Sequence, residues 1–346
     1  MKPKKVFVTG ANGFTGSNLC RHLAARGDQV TALVRPSANL NALAGLNVEI
    51  IEGDLSRDDG IPAQALQNVE IIYHIAALYR QEGLTRDDFF NVNVKGTERM
   101  LIAAKRAGIN RFVHCSTGGV HGHIEKPPAN EYAPFRPGDW YQETKLEGEQ
   151  LSLAFGKEHR LPVSVIRPSP IYGAGDMRFL KLFKAINNGT FFMIGDGKPL
   201  YHFVYVDDLV QGFILAGERE EAVGEEFIIS GPQYASINEL VEMIALELGR
   251  PTTMRHIPIW PVMLAAKACK RLCNYLNIAP PLYPRRLDFF IKDRAFDSGK
   301  AKALIDYNPQ VDLKAGIAHT AAWYIENGYL KDRHHEPLLL KGNQRN

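Results

Sequence analysis

Eight residues near the amino terminus, Thr9-Gly10-Ala11-Asn12-Gly13-Phe14-Thr15-Gly16, constrain the fold of this chain more tightly than any other stretch. They directly follow an apolar run, Lys5–Thr9, and open a helical pattern, Ser17–Ala25. Glycine at the first position permits a tight turn. At the second it lets the backbone approach a ligand, and at the third it lets helix and strand pack closely. The helix amino end then presents unpaired N–H groups and a partial positive charge, a natural seat for phosphate. The expectation is that Gly10, Asn12, Gly13, Phe14 and Gly16 hold the pyrophosphate of a dinucleotide. A glycine-rich turn without a ligand is the plainer alternative, and the strand-to-helix context argues against it.

The first two-thirds of the chain repeats this strand–helix rhythm. Strands are predicted at Lys5–Thr9, Gln29–Val34, Val48–Glu52, Ile71–His74, Phe112–Cys115, Val163–Arg167 and Glu226–Ile229. Most are apolar runs rather than alternations, as in parallel strands covered on both faces. Helices are predicted at Ser17–Ala25, around Phe89–Ala107 and at Tyr141–Lys157. The pattern predicts an α/β fold: a Rossmann-type doubly wound parallel sheet in residues 1–170, with strands near 203–230 returning to it. After about residue 170 glycine and proline become frequent, and helices are predicted at Phe179–Asn187 and Ile237–Leu248. Residues 171–335 therefore read as a smaller, interleaved substrate-binding lobe. A chain of 346 residues suits that division.

A net charge of +3 gives no field for nucleic acid, and 45% apolar residues are ordinary for a globular chain. Cys20, Cys115, Cys269 and Cys273 show no zinc spacing, so a reducing, cytoplasmic setting is expected. Met1-Lys2-Pro3-Lys4-Lys5 is not followed by an apolar signal-peptide core, and no run reaches the ~20 apolar residues of a membrane span. Segment 257–279 stands apart. Trp260, Leu264, Ala268, Leu272 and Tyr275 form one apolar stripe, with Lys267, Lys270, Arg271 and Asn274 elsewhere on the helix. A helix packed on the substrate lobe is the preferred reading. A lid over an apolar substrate, or a surface for peripheral membrane contact, is the sharper one.

The second strand ends Val34-Arg35, where NAD enzymes usually place Asp or Glu for the ribose. Arg35 would instead attract a ribose 2′-phosphate, so NADP is favoured over NAD; a solvated Arg35 is the alternative. Asp54 is placed to accept from an adenine amino group, or simply to make a turn. Tyr141 and Lys145 lie four apart at the start of a helix and share a face. A free phenol has a pKa of ~10, and an adjacent ammonium favours the phenolate, which tunes Tyr141 for acid/base work. The Lys145 side chain can also hydrogen-bond the nicotinamide ribose, which makes it a cofactor-binding candidate as well. Thr117, at the end of the strand Phe112–Cys115, could hold a substrate oxygen against Tyr141, with Ser116 as the alternative donor. His114, His121 and His123 fit no strong metal-ligand pattern, so no metal is expected.

Together these motifs resemble the extended short-chain dehydrogenase/reductases. The resemblance runs through Thr9–Gly16, Asp54-Leu55, His74-Ile75-Ala76-Ala77, Asn93 to Thr97, Ser116-Thr117, Tyr141 to Lys145 and Arg167-Pro168 to Gly173. It implies Tyr141 as general acid/base, Lys145 as its orienting partner and Thr117 as the polarising hydroxyl. It also implies Leu55, Ala76 and Pro168 beside the cofactor, Asn93 supporting the central helix, and a homodimer. Tyr79, Tyr201 and His121 are expected to line the substrate pocket. Two departures stand out: Cys115 replaces a frequent Ser, and His121 replaces the Tyr of a Val-Tyr-Gly motif.

Within the family, the stretches Ile194–Gly197 and Tyr205–Asp208 are similar to the 3β-hydroxysteroid and sterol-carboxylate dehydrogenase group. Nucleotide-sugar epimerases and dehydratases often carry an Arg just before Phe203, where this chain has Leu200-Tyr201-His202. The expected activity is therefore interconversion of a secondary alcohol and a ketone on an apolar, steroid- or terpenoid-like substrate. The rivals are a nucleotide-sugar epimerase or dehydratase, its diphosphate held by Lys181, Lys184 or Arg285, and a non-catalytic dinucleotide sensor.

Overall fold

The protein is described by a computed structural model, which covers residues 2–79, 83–275, 278 and 284–332. Part of segment 257–279 and the last residues of the expected 171–335 lobe therefore lie outside the described residues. Six strands, β1 (Lys5–Thr9), β2 (Gln29–Val34), β3 (Val48–Glu52), β4 (Ile71–His74), β5 (Arg111–Cys115) and β6 (Val163–Pro168), join Glu226–Ile229 in one sheet. Its order is Glu226–Ile229, β6, β5, β4, β1, β2, β3, and all its pairings are parallel. The chain leaves β1 in one direction, to β2 and β3, and returns on the other side at β4. That reversal opens a crevice at the carboxyl ends of β1 and β4, where doubly wound sheets bind ligands.

Eleven helices are described: α1 (Phe14–Ala25), α2 (Arg86–Phe90), α3 (Gly96–Ala107), α4 (Trp140–His159), α5 (Leu180–Asn187), α6 (Val206–Glu218), α7 (Ile237–Glu247), α8 (Ile259–Tyr275), α9 (Asp288–Ile291), α10 (Gly299–Ile305) and α11 (Leu313–Glu326). On one face of the sheet, Leu19 and Leu23 of α1 and Leu209, Val210 and Phe213 of α6 bury Val6, Val8 and Val113. On the other, Met100, Leu101 and Ala104 of α3 cover Phe7, Ile72 and Phe112. A separate core joins Phe183 of α5, Leu240 and Ile244 of α7, and Ile317 and Tyr324 of α11 around Tyr172 and Phe203. Among the described residues no helix is long and apolar enough to cross a membrane.

Three features differ from the sequence expectation. Strand β3 is an edge strand, and its Ile50 is 41% exposed rather than covered. The predicted helix around Phe89–Ala107 begins at Arg86, where Thr85 forms a capping box with Asp88, and contains a π-helical turn at Asn91–Lys95. Helix α6 was not predicted. It packs on the sheet beside α1, with Gly212 pressed on Ile229 and Gly217 on Tyr73, and it starts at Tyr205 without a capping side chain to mark its first turn.

Candidate active site

A cleft of about 2850 Å³ runs along the carboxyl ends of the strands. One drug-sized ligand typically occupies roughly 300–1,000 Å³, so there is room for a dinucleotide and a substrate together. The glycine turn forms its floor. Gly10 sits at φ +67°, and a Cβ there would come within 2.8 Å of the Ala76 backbone. A Cβ on Gly16 would lie 2.2 Å from the Gly10 carbonyl oxygen, which fixes how closely α1 approaches β1. Gly13 caps α1 without a side chain, leaving the amide end of the helix open to the cleft. This cradle fits a pyrophosphate. Gly10, Asn12, Gly13, Phe14, Gly16, Arg35, Asp54, Leu55, Ala76 and Pro168 all line the same cleft, as expected of cofactor-binding residues.

A buried histidine holds this floor in place. His74 Nε2 lies 3.0 Å from Thr97 Oγ1, whose own proton goes to the Asn93 carbonyl. Nε2 is therefore the protonated nitrogen. His74 Nδ1 then accepts from Thr9 Oγ1 at 2.9 Å, while Thr9 Oγ1 accepts from the amides of Ile75 and Ala76. The network ties β1 to the loop that faces the glycine turn. Burial, helped by the Lys145 charge, pushes the His74 pKa down to about 3.

The unfolded chain binds this proton near pH 6.5 and the folded chain does not. Stability from His74 is thus complete above about 6.5 and is lost as pH falls from there towards 3. Acid unfolding should steepen across that window by an amount on the order of a few kcal/mol, and His74→Gln should flatten it. Equal slopes for the two proteins in a pH series of urea titrations would rule this out.

Tyr141 stands in the first turn of α4, which Asp139 caps by accepting from the Gln142 amide at 2.6 Å. The Tyr141 ring meets Tyr79 edge-on, centroids 5.0 Å apart. Lys145, one turn on, is buried; burial pushes its ammonium pKa down, while Cys115 and Glu149 pull it up. Lys145 is not part of the cleft wall: its burial in the first turns of α4 keeps it behind the surface where a nicotinamide ribose was expected to meet it. Thr117 Oγ1 accepts from the Gly119 amide at 3.1 Å, which leaves its proton directed elsewhere, as a donor to substrate oxygen requires. Ser116 lines the cleft too, but its hydroxyl donates to Glu149 Oε2 at 2.5 Å, so the alternative donor is already committed. Asn93 donates to Thr144 on α4 and grips both backbone groups of Leu78, linking α4 to the loop after β4.

His121 is a correction. It does not line the cleft; its ring is buried, stacked on Phe135 at 5.3 Å and tilted against Phe296, which does line it. The tight turn Gly118–His121 rotates the side chain away from the opening. The three neighbouring histidines go to three places: His114 beside His74, His121 on Phe135, and His123 accepting from the Asp293 amide. Among the described residues no group of three or more His, Cys, Asp or Glu is placed to hold a metal. Cys115 lines the cleft, but burial raises its thiol pKa to about 11, which removes it as a nucleophile. Tyr79 and Tyr201 line the cleft as expected.

Sequence reasoning missed the ion pair behind the site. Glu149 accepts from Arg167 Nη2 at 2.5 Å and from Nε at 3.1 Å, both residues being almost fully buried. Arg167 also donates to the Glu131 carbonyl and lies over the Phe135 ring. The signal was present: Tyr141, Lys145 and Glu149 are spaced by four along one face of α4. Asp139, directly before the helix, was a readable cap as well.

The sheet crevice and the glycine cradle define a dinucleotide-binding fold, with Tyr141 at the cleft. Residues 6–230 match the model of the NAD dependent epimerase/dehydratase family. The chain belongs to that family and is a nicotinamide-dependent oxidoreductase of the extended short-chain type. It is 30% identical over 331 residues to sterol demethylase protein B of Methylococcus capsulatus, covering 93% of this chain and 99% of that one. It is also 30% identical over 337 residues to a 3 beta-hydroxysteroid dehydrogenase/Delta 5-->4-isomerase of Mycobacterium tuberculosis, covering 93% and 90%. A solved UDP-glucuronic acid 4-epimerase from Bacillus cereus in complex with NAD superposes with a TM-score of 0.75 at 25% identity, covering 94% of this chain and all of the other.

Proposed function

We propose that the protein interconverts a secondary alcohol and a ketone on an apolar, steroid- or terpenoid-like substrate. The observation that carries this reading is the aromatic part of the cleft lining: Trp140, Phe179, Tyr201, Phe203, Phe289 and Phe296. Two guanidiniums of the cleft lining are matched by carboxylates, Arg178, which lies over the Phe14 ring, with Asp176 at 2.7 Å and Arg285 with Asp139. The steroid and sterol enzymes among the relatives support the same class. A nicotinamide held in the cleft would supply or accept hydride. Tyr141 donates the proton to the carbonyl oxygen in reduction and takes it back in oxidation, Thr117 donates a hydrogen bond to that oxygen, and Lys145 holds Tyr141 in a cationic environment. The test is turnover on a panel of 3-hydroxysteroids and terpenoid alcohols against nucleotide sugars. Activity confined to nucleotide sugars would reverse the assignment.

One observation favours that second reading: Arg294 also lines the cleft. Lys181 and Lys184, by contrast, are exposed on α5 away from it.

NADP is the proposed cofactor form. Arg35 is exposed at the cleft rim where β2 ends, beside Asn39, whose carbonyl accepts from Asn12. Arg35→Ala should weaken NADPH binding about tenfold or more and leave NADH nearly untouched. A fluorescence titration giving equal losses for both would contradict this preference. The remaining parts of the proposal are cofactor binding by residues 1–170, substrate binding by the lobe 171–335, a homodimer, and a cytoplasmic setting consistent with four free cysteines.

A further inference from the structure

Helix α8 presents a surface that the proposed chemistry does not use. Its outer side carries Trp260 (70% exposed), Leu264 (64%), Leu272 (59%) and Tyr275 (85%). At about 100° per residue these four fall within roughly one third of the helix circumference. Ala266 and Cys273, on the opposite side, are buried. Lys267 is exposed at one margin of the apolar side and Arg271 just inside that margin, with Lys270 beyond them. Helix α8 contains these three cations and no carboxylate.

An apolar stripe edged by cations is the composition of a helix that lies in the interface of a bilayer, its stripe at the acyl boundary and its cations among anionic headgroups. A second copy of this chain is a poor occupant, because pairing the helix with itself would bring like charges together with no carboxylate on either helix. The same helix also forms part of the cleft wall, through Lys270 and Cys273, with Ile278 just beyond it.

We propose that α8 seats the protein on a bilayer surface bearing anionic lipid headgroups. Delivery of an apolar alcohol from the bilayer into the cleft rests on the functional reading above; the seating itself does not.

The experiment is flotation of the full chain with phosphatidylcholine vesicles, with and without phosphatidylglycerol. The wild type should float with the anionic vesicles and remain behind with the neutral ones. Lys267→Glu/Arg271→Glu should weaken that binding by about tenfold or more, and Trp260→Ser/Leu264→Ser should abolish it. Both variants should keep their circular dichroism, cofactor binding and turnover of a water-soluble alcohol. Wild-type protein that binds cofactor but does not float overturns the proposal, as does equal flotation with both vesicle types or undiminished flotation of both variants. A wild-type dimer that Trp260→Ser/Leu264→Ser converts to monomer without lipid would also overturn it, by showing that a second copy covers the helix. Flotation with no turnover of any apolar alcohol would instead count against the functional reading alone.

Discussion

Tyr141→Phe is expected to lower turnover by about 10²- to 10⁴-fold while cofactor affinity stays near the wild-type value. The substitution removes one oxygen and keeps the ring, so the edge-on contact with Tyr79 survives. Thr117 still offers its hydroxyl to the substrate oxygen, because its own acceptor role toward Gly119 is unaffected. What disappears is the only proton on the Tyr141 side chain that can be passed to the developing alkoxide. The loss should therefore fall on kcat and much less on KM. Steady-state kinetics on the best apolar alcohol, with a parallel cofactor titration, reads both quantities. Undiminished kcat would remove Tyr141 from the chemistry, and Thr117 and Lys145 would then need a different partner.

Arg167→Met should be the most damaging substitution for stability. Glu149 would keep only the hydroxyl of Ser116 among its present donors while remaining almost completely out of solvent. Breaking a buried ion pair from one side costs about 3–5 kcal/mol. Replacing both members, as Arg167→Met/Glu149→Leu, should recover only part of that loss: an apolar pair can match a buried ionic one, but Glu149 also faces the buried Lys145 ammonium and accepts from Ser116. Denaturant midpoints of the two variants make the comparison. A single variant less than about 1 kcal/mol below wild type would mean that Glu149 finds another donor or takes up a proton at little cost. The pair also bears on activity, since it anchors Ser116 at the end of β5, next to the hydroxyl that faces the substrate.

The parallel sheet was legible because each strand is a short apolar run bounded by turn residues, so composition alone marks it. The glycine turn was legible for a different reason: only glycine fits at Gly10 and Gly16, and the backbone atoms that forbid a side chain there are local or one strand away. Tyr141 and Lys145 could be read from helical spacing. Helix α6 was missed although Asp207, Gln211 and Glu218 share one side of it, since no capping side chain marks where it starts after Tyr205. His121 was misplaced because a strand end predicts which residues approach the crevice but not how the following tight turn rotates each of them. Glu149 needs Arg167 from a different strand to give it meaning, and pairings between distant elements leave no local trace. The second core was the least readable part, since it draws on segments as far apart as Tyr172 and Leu330.

The strand Glu226–Ile229 carries a consequence for how the protein is made. Its two faces are closed by chain that comes much later: Phe227 and Ile229 pack with Ala301, Ile305 and Tyr307, and Ile228 packs with Phe296. The Tyr307 hydroxyl seals the arrangement by donating to the Ser230 carbonyl. A nascent polypeptide that has emerged only as far as this strand displays greasy, half-covered β-structure and must wait for some seventy to eighty further residues to be translated, several seconds or more at typical elongation speeds. During that interval it offers an adhesive margin to other nascent molecules. Ribosome stalling between the two segments should therefore raise aggregation and holdase chaperone demand more than stalling after residue 307.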